Sequence, residues 1–241
     1  MKAFRKLLIL ALIVLACGAA VFFFGWTQFS IPAGKYGVML SKSGGYYRQA
    51  ITPGNFTWRW ERIVPTNAQI LVFDLTPRPV HYAADGSLPS ADLYSKVLNT
   101  KDNFSWAFGI DALVTLKSDR LVAVVEKDTI QTQEMLESYI DSHIQAALQT
   151  IMYRYVSELI DNTYEYQQVK TDYHTLSEKI KDELSKATEP DFSVEAVTLT
   201  KLTIPDIHTY KIAEQAYNTY EQQRRTRHLR PKPHKHTLIR L

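Results

Sequence analysis

The residues of this chain whose chemistry reaches beyond packing are its seven histidines, its one cysteine and a set of closely spaced tyrosines. His228, His234 and His236 stand near one another and could ligate a transition metal. They fall in a Pro-containing basic terminus, where solvated side chains are the expectation. His81, His143, His174 and His208 are scattered one to an element and read as surface or satisfied groups. Asp74 and Asp111 would make a general acid–base pair only if the fold brought them together, which sequence does not dictate. Tyr139, Tyr153, Tyr155, Tyr164, Tyr166 and Tyr173 could stack a ligand, but tyrosine at core and interface rims is the simpler expectation. Asn55-Phe56-Thr57 and Asn103-Phe104-Ser105 match the glycosylation sequon, a pattern that often arises by chance. Ser/His/Asp sets, metal-spaced His/Cys sets and phosphate loops are missing at recognisable spacings. The sequence therefore predicts no catalytic residue, no cofactor, no metal and no enzyme.

The element that positions everything else is Leu7–Trp26, LLILALIVLACGAAVFFFGW, which carries no charge. Its twenty residues of helix cover about 30 Å, the hydrocarbon thickness of a bilayer. Leu7, Leu10, Val14, Phe22, Phe24 and Trp26 are its expected membrane-anchoring side chains. Lys2, Arg5 and Lys6 precede it and the next cation is Lys35. That asymmetry predicts a cytoplasmic N-terminus and a single-pass protein whose body is extracytoplasmic, periplasmic if bacterial. Trp26 and Phe29 sit where an interfacial aromatic belt is expected. A cleaved signal is a rival, but its apolar centre usually runs only about 7–15 residues. Val14-Leu15-Ala16-Cys17 loosely resembles a lipobox, yet the residues after Cys17 are the most apolar in the chain. An uncleaved anchor is the expectation, with Cys17 a small apolar residue facing lipid.

Beyond the anchor, a hydrophobic fraction of 45% suffices for a real core, and the length suits one domain with or without an appendage. The lone cysteine excludes an intrachain disulfide. Net charge is +3, but Arg224 to Leu241 holds seven Lys/Arg and no acid, so the remainder stands near −4. The basic tail includes Arg224, Arg225, Arg227, Arg230, Lys232 and Lys235. Lipid headgroups or an acidic partner could attract it. With no aromatic interleaved and with the expected topology, nucleic acid is not a predicted partner.

Four expected segments are 1–27 (N-terminal stub and anchor), 28–204 (an α+β domain), 205–225 (an assembly helix) and 226–241 (a basic, disordered tail). Tyr36–Leu40 reads as a strand, Gly44-Gly45 as a hairpin turn, and Pro53-Gly54 as a turn whose glycine supplies a positive φ. Phe56 to Trp60 alternates aromatic and polar, as a half-buried strand or extended segment does. Ala68–Leu75 is a strand stopped by Pro77 and Pro79, and 83–92 a loop. Phe104, Trp106, Phe108, Ile110, Ala112, Val114 and Leu116 occupy alternate positions, predicting a strand over 104–117 with one covered face. A turn at 100–103 is expected to pair it with a strand at 93–99. Helices follow over 121–127, 135–156 and about 164–187, the last with Tyr173, Leu176, Ile180 and Leu184 on one side. A returning strand at 194–204 closes an α+β domain with helices on one sheet face. Pro205 suits the first turn of a helix to Arg225, where Tyr210, Ala213, Tyr217 and Tyr220 form a short seam. That seam needs a partner or the body to pack against.

These pieces resemble the SPFH superfamily of stomatin, prohibitin, flotillin and the HflK/HflC proteins. The anchor is followed by IPAGKYGVMLSKSG and ITPGNFTWRWERIVPTNAQILVFDLTPRPV, similar to the family's opening strand, glycine turn, Pro-Gly, extended segment and strand ending in Asp. Lys101-Asp102-Asn103 before the alternating strand, the helix around Ser138 to Ser157, and Phe192–Val197 with Leu202-Thr203-Ile204-Pro205 resemble later family landmarks. Two departures stand out: the long Glu/Ala/Arg-rich helix of many members is expected to be missing after Arg225, and Phe192 or Ser193 stands where a Gly is usual. The resemblance implies an SPFH-like domain in a non-enzymatic membrane scaffold that self-associates, partly through Tyr210, Ala213, Tyr217 and Tyr220. It would organise lipid or regulate membrane proteins such as a protease. Its partners would be membrane lipid and either itself or a paralogous subunit. The alternatives are a monomeric tethered module binding a single protein or lipid, and an anchored hydrolase with an unrecognised site.

Overall fold

The computed structural model describes residues 2–27, 31–54, 56–64, 66–99, 103–161 and 173–229. The class is α+β, as the sequence predicts. An apolar helix α1 (Lys2–Gly25) leads into β1 (Lys35–Ser41), β2 (Gly45–Tyr46), a 3-10 turn (Trp60–Arg62), β3 (Ala68–Asp74) and β4 (Arg78–Ser87). Next come α2 (Ala91–Leu98), β5 (Ser105–Leu116), α3 (Leu121–Lys127), α4 (Gln133–Asp161), α5 (Tyr173–Thr188), β6 (Phe192–Thr203) and α6 (Ile207–Leu229). The expected turn at 100–103 and the expected helix start near Tyr164, with Tyr166, lie largely outside the described residues.

There are two compact units, one of 1–81, 111–151 and 177–198, the other of 82–110, 152–176 and 199–241. Two three-stranded sheets form, ordered β2-β1-β3 and β4-β5-β6. In the first unit β1 pairs antiparallel with β3 from Lys35↔Asp74 to Ser41↔Ala68, and with β2 at Leu40↔Tyr46. A small core of Ile31, Met39 and Ile51 fills beneath it. The polar stripe Gln133-Glu137-Asp141 of α4 grips the β3–β4 link. Gln133 accepts from the Asp74 amide at 2.9 Å. Arg78 donates to both Asp141 oxygens (3.1 and 3.0 Å) and to Glu137 at 2.7 Å. Further along, Lys117 N donates to Asp191 O and Thr115 to Glu195, which sets β6 antiparallel to β5.

The period-two residues of β5, from Phe104 to Leu116, are all buried, and α4 buries Leu136, Ile140, Ile144, Leu148, Ile151 and Tyr155 at helical spacing. In the second unit Phe108 packs edge-on against Tyr155 and Trp106 against Tyr153. Leu88 N donates to Phe104 O, so β4 is the antiparallel partner of β5.

Several expectations are corrected. The stretch 93–99 is not the strand that pairs with β5; 91–98 is helix α2, because Ala91 and Tyr94 bury at helical spacing and Asn99, at φ 51°, ends it. The partner strand lies earlier, in 83–87, read from sequence as loop. Pro79 is tolerated because β4 is an edge strand. The positive-φ glycines are Gly34 and Gly45, not Gly54. Tyr173 is exposed, off the buried face of Leu176, Ile180 and Leu184. Pro205 precedes the helix rather than opening it: Asp206 is the cap, accepting from the amides of His208 and Thr209 at 3.0 and 3.4 Å.

Gly86 lies under the Trp106 indole, and a β-carbon there would stand 2.7 Å from the ring. Gly86→Ala gains about 0.5–1 kcal/mol of backbone propensity, but forcing a buried indole costs about 1–3 kcal/mol. The clash wins, and denaturant unfolding of the detergent-solubilised protein should register a net loss of stability.

Candidate membrane interface and assembly helix

Phe4–Gly25 forms one helix of 22 residues, long and apolar enough to cross a membrane, exposed along its length as far as Phe24 and buried only at Gly25. Leu7, Leu10, Val14, Phe22 and Phe24 all face outward. Trp26 is half-buried and bridges to Trp58. The helix end is knitted to residues 57–62. Trp58 Nε1 donates to Phe22 O at 3.2 Å and Arg59 N to Gly25 O at 2.8 Å. Thr27 donates through both its amide (3.0 Å) and its hydroxyl (2.7 Å) to Thr57 O. The Arg62 guanidinium donates to Trp26 O at 2.9 Å and Thr27 O at 3.1 Å, a cation at the negative end of a helix. Burial holds its pKa below the ordinary arginine value. Gly25 is required here, since any β-carbon would run into the Trp58 indole. This junction was missed in the sequence. Its available signal was a glycine closing the apolar run and two arginines set among the aromatics.

The seam of α6 is largely used within the chain. Tyr210 and Ala213 are buried. The Tyr210 ring packs 5.7 Å from Tyr94 and 5.5 Å from Phe104, and its hydroxyl donates to Pro89 O at 2.9 Å. Tyr217 lies 5.3 Å from Tyr94. Tyr220 alone of the four is exposed. Desolvation, with smaller contributions from Tyr94 and Glu214, pushes the Tyr210 hydroxyl up to about 12.

The profile of the SPFH domain / Band 7 family matches residues 29–232. The chain belongs to the SPFH/Band 7 family. Over 214 residues it is 36% identical to an uncharacterized protein of Treponema pallidum (strain Nichols), a match spanning 88% of this chain and 72% of that one. SPFH proteins associate with membranes, often oligomerise, and are generally non-enzymatic scaffolds.

Asp74 accepts from the Thr76 amide, which holds its carboxyl below the usual range, whereas Asp111 pairs with His81 at 2.6 Å. Those two carboxylates thus serve different partners. Tyr139, His143 and Phe192 stack together, and Tyr155 is core. Among the described residues no three His, Cys, Asp or Glu side chains are grouped to hold a metal. Arg224 pairs with Glu221 at 3.3 Å and Arg225 is exposed. Arg227 lies in α6. Tyr164, His234, His236, Arg230, Lys232 and Lys235 lie outside the described residues, as does Phe29.

Two outcomes follow. Arg62→Ala removes two charge-assisted bonds and should cost on the order of 1–2 kcal/mol locally, seen as faster amide exchange at Thr27 and Arg59, with Arg62→Lys intermediate. In ultraviolet titration one tyrosine should ionise near pH 12 and vanish in Tyr210→Phe. Because that folded-state value lies above the ordinary 10.0, its contribution to stability is intact below pH 10 and is lost as pH climbs to about 12.

Proposed function

We propose that this protein is a non-enzymatic, single-pass membrane scaffold whose copies associate side by side into a ring or patch. That assembly organises lipid and regulates membrane proteins, a membrane protease among them. The N-terminus lies in the cytoplasm and the body on the extracytoplasmic side, a reading supported by Lys2, Arg5 and Lys6 before the anchor and no cation after it until Lys35. The observation that carries the proposal is an SPFH domain whose residues 57–62 are hydrogen-bonded to the end of a lipid-length helix.

For assembly, Tyr210, Ala213 and Tyr217 are occupied within the chain, so the contact between copies falls to another face of α6. Ile212, Ala216 and Tyr220 are exposed at intervals of four residues. They make an apolar stripe about 90° around the helix from the buried one. The partner copy is this chain or a paralogous subunit. A stripe this short is weak alone, but confinement to one membrane plane raises the effective concentration of copies.

Mass measurement and imaging of the full-length protein in mild detergent test this. Discrete high oligomers are expected, broken to smaller species by Ile212→Glu with Tyr220→Glu while the fold, followed by circular dichroism, stays intact. A clean monomer at every concentration would sink the scaffold and favour the monomeric tethered module.

A further inference from the structure

Residues 56–64 carry an apolar face that points the wrong way for a soluble domain. The alternation Phe56, Trp58, Trp60 reads from sequence as a half-buried strand, yet its aromatic side is the outer one. Phe56 is 58% exposed, Trp58 38%, Trp60 55% and Val64, just beyond the 3-10 turn, 49%. Thr57 and Arg59 between them are the more covered residues. Large apolar side chains clustered so closely on a surface mark a binding face rather than chance exposure.

Its location says what covers it. This segment holds the last turn of α1 through the bonds to Phe22, Gly25, Trp26 and Thr27 described above. The Phe56 ring stacks on Phe22 at 5.8 Å and meets Trp26 at 5.4 Å. Phe4–Gly25 is 22 residues long, about 33 Å of helix against a hydrocarbon core of about 30 Å. Phe22 to Trp26 therefore stand where hydrocarbon gives way to headgroups, and Phe56 stands with them. Helix-end carbonyls are costly in lipid unless they find donors, and 58–62 supplies them to Phe22, Gly25, Trp26 and Thr27. Amphipathic tryptophan is also the residue type that settles at this depth.

We propose that the 56–64 segment is a second membrane contact: Phe56, Trp58, Trp60 and Val64 bed in the headgroup–acyl boundary beside the far end of the anchor. The occupant of this face is the lipid bilayer itself. The first unit is thereby held at two points, by a helix through the membrane and by an aromatic edge lying in its surface. This inference rests on α1 spanning the bilayer, and not on self-association.

The test uses full-length protein with Cys17→Ser, reconstituted in phosphatidylcholine vesicles and labelled at one new cysteine with an environment-sensitive fluorophore. Three positions are compared: Leu10→Cys inside the anchor, and Phe56→Cys and Trp60→Cys on the edge. Brominated phosphatidylcholine should quench all three labels, whereas aqueous iodide should leave 56 and 60 largely untouched. Intrinsic tryptophan emission gives a second measurement that needs no label: the part lost in brominated lipid should shrink in Trp60→Phe. If the label at 10 is quenched by lipid while those at 56 and 60 answer only to iodide, the second contact is overturned and the anchor stands. If all three answer only to iodide, both fall.

Discussion

A helix that ends at the edge of a bilayer leaves its last carbonyls without intrahelical donors, at a depth where water replaces them only in part. Much of the first unit follows from meeting that constraint. Phe22, Gly25, Trp26 and Thr27 each have a carbonyl satisfied by residues 58–62. To bring those donors in, the chain between β1 and β3 makes a long excursion. It turns back at β2, bridges Gly37 through Ile51, reaches α1 with 57–62, and returns to pair β3 along the whole of β1. Gly25 must lack a side chain because Trp58 needs the space to reach Phe22. Anchor and first sheet are thus one cooperative construction, with Arg62 placing a full charge at the negative helix end.

Sequence alone disclosed the parts governed by long periodicities. Seven alternate residues from Phe104 to Leu116 are apolar and every one of them is buried, while Ala107 and Leu113 on the opposite face are only half-buried. The helical stripe of α4 and the apolar run of α1 were equally legible. What failed was short or dictated from a distance. The 91–98 stretch is eight residues, too few to tell a helical period from an alternation, and it folds as helix because Tyr94 packs on Tyr210 and Tyr217 far along the chain. Gly86 reads as loop in sequence because the indole that covers it comes from another strand. The aromatic alternation at 56–60 was visible, but periodicity fixes which residues share a face and not which solvent that face meets.

The tyrosines of α6 show the same ambiguity at the candidate assembly site. A seam at spacings of three and four says that a helix has one sticky side, whether the partner is its own body or another copy. Here Tyr94, Phe104 and the Pro89 carbonyl claim Tyr210, and burial of its hydroxyl raises the pKa well above the ordinary value. A phenol with its hydroxyl bonded and two aromatic rings packed on it is a core residue of the second unit. What that packing leaves outside on this helix is the exposed Ile212-Ala216-Tyr220 stripe.

The bonded junction also bears on how weak a contact between copies can be. A body hung on a loose linker samples all tilts, and each association must first freeze them, at a cost of several kcal/mol. Hydrogen bonds from 57–62 to the end of α1 remove that freedom for the first unit in advance. The first units of neighbouring copies in one membrane would then differ chiefly by sliding in the plane and by rotation about its normal. For copies that associate as proposed, a shared membrane plane and a first unit already fixed to its anchor leave fewer degrees of freedom to lose at each contact.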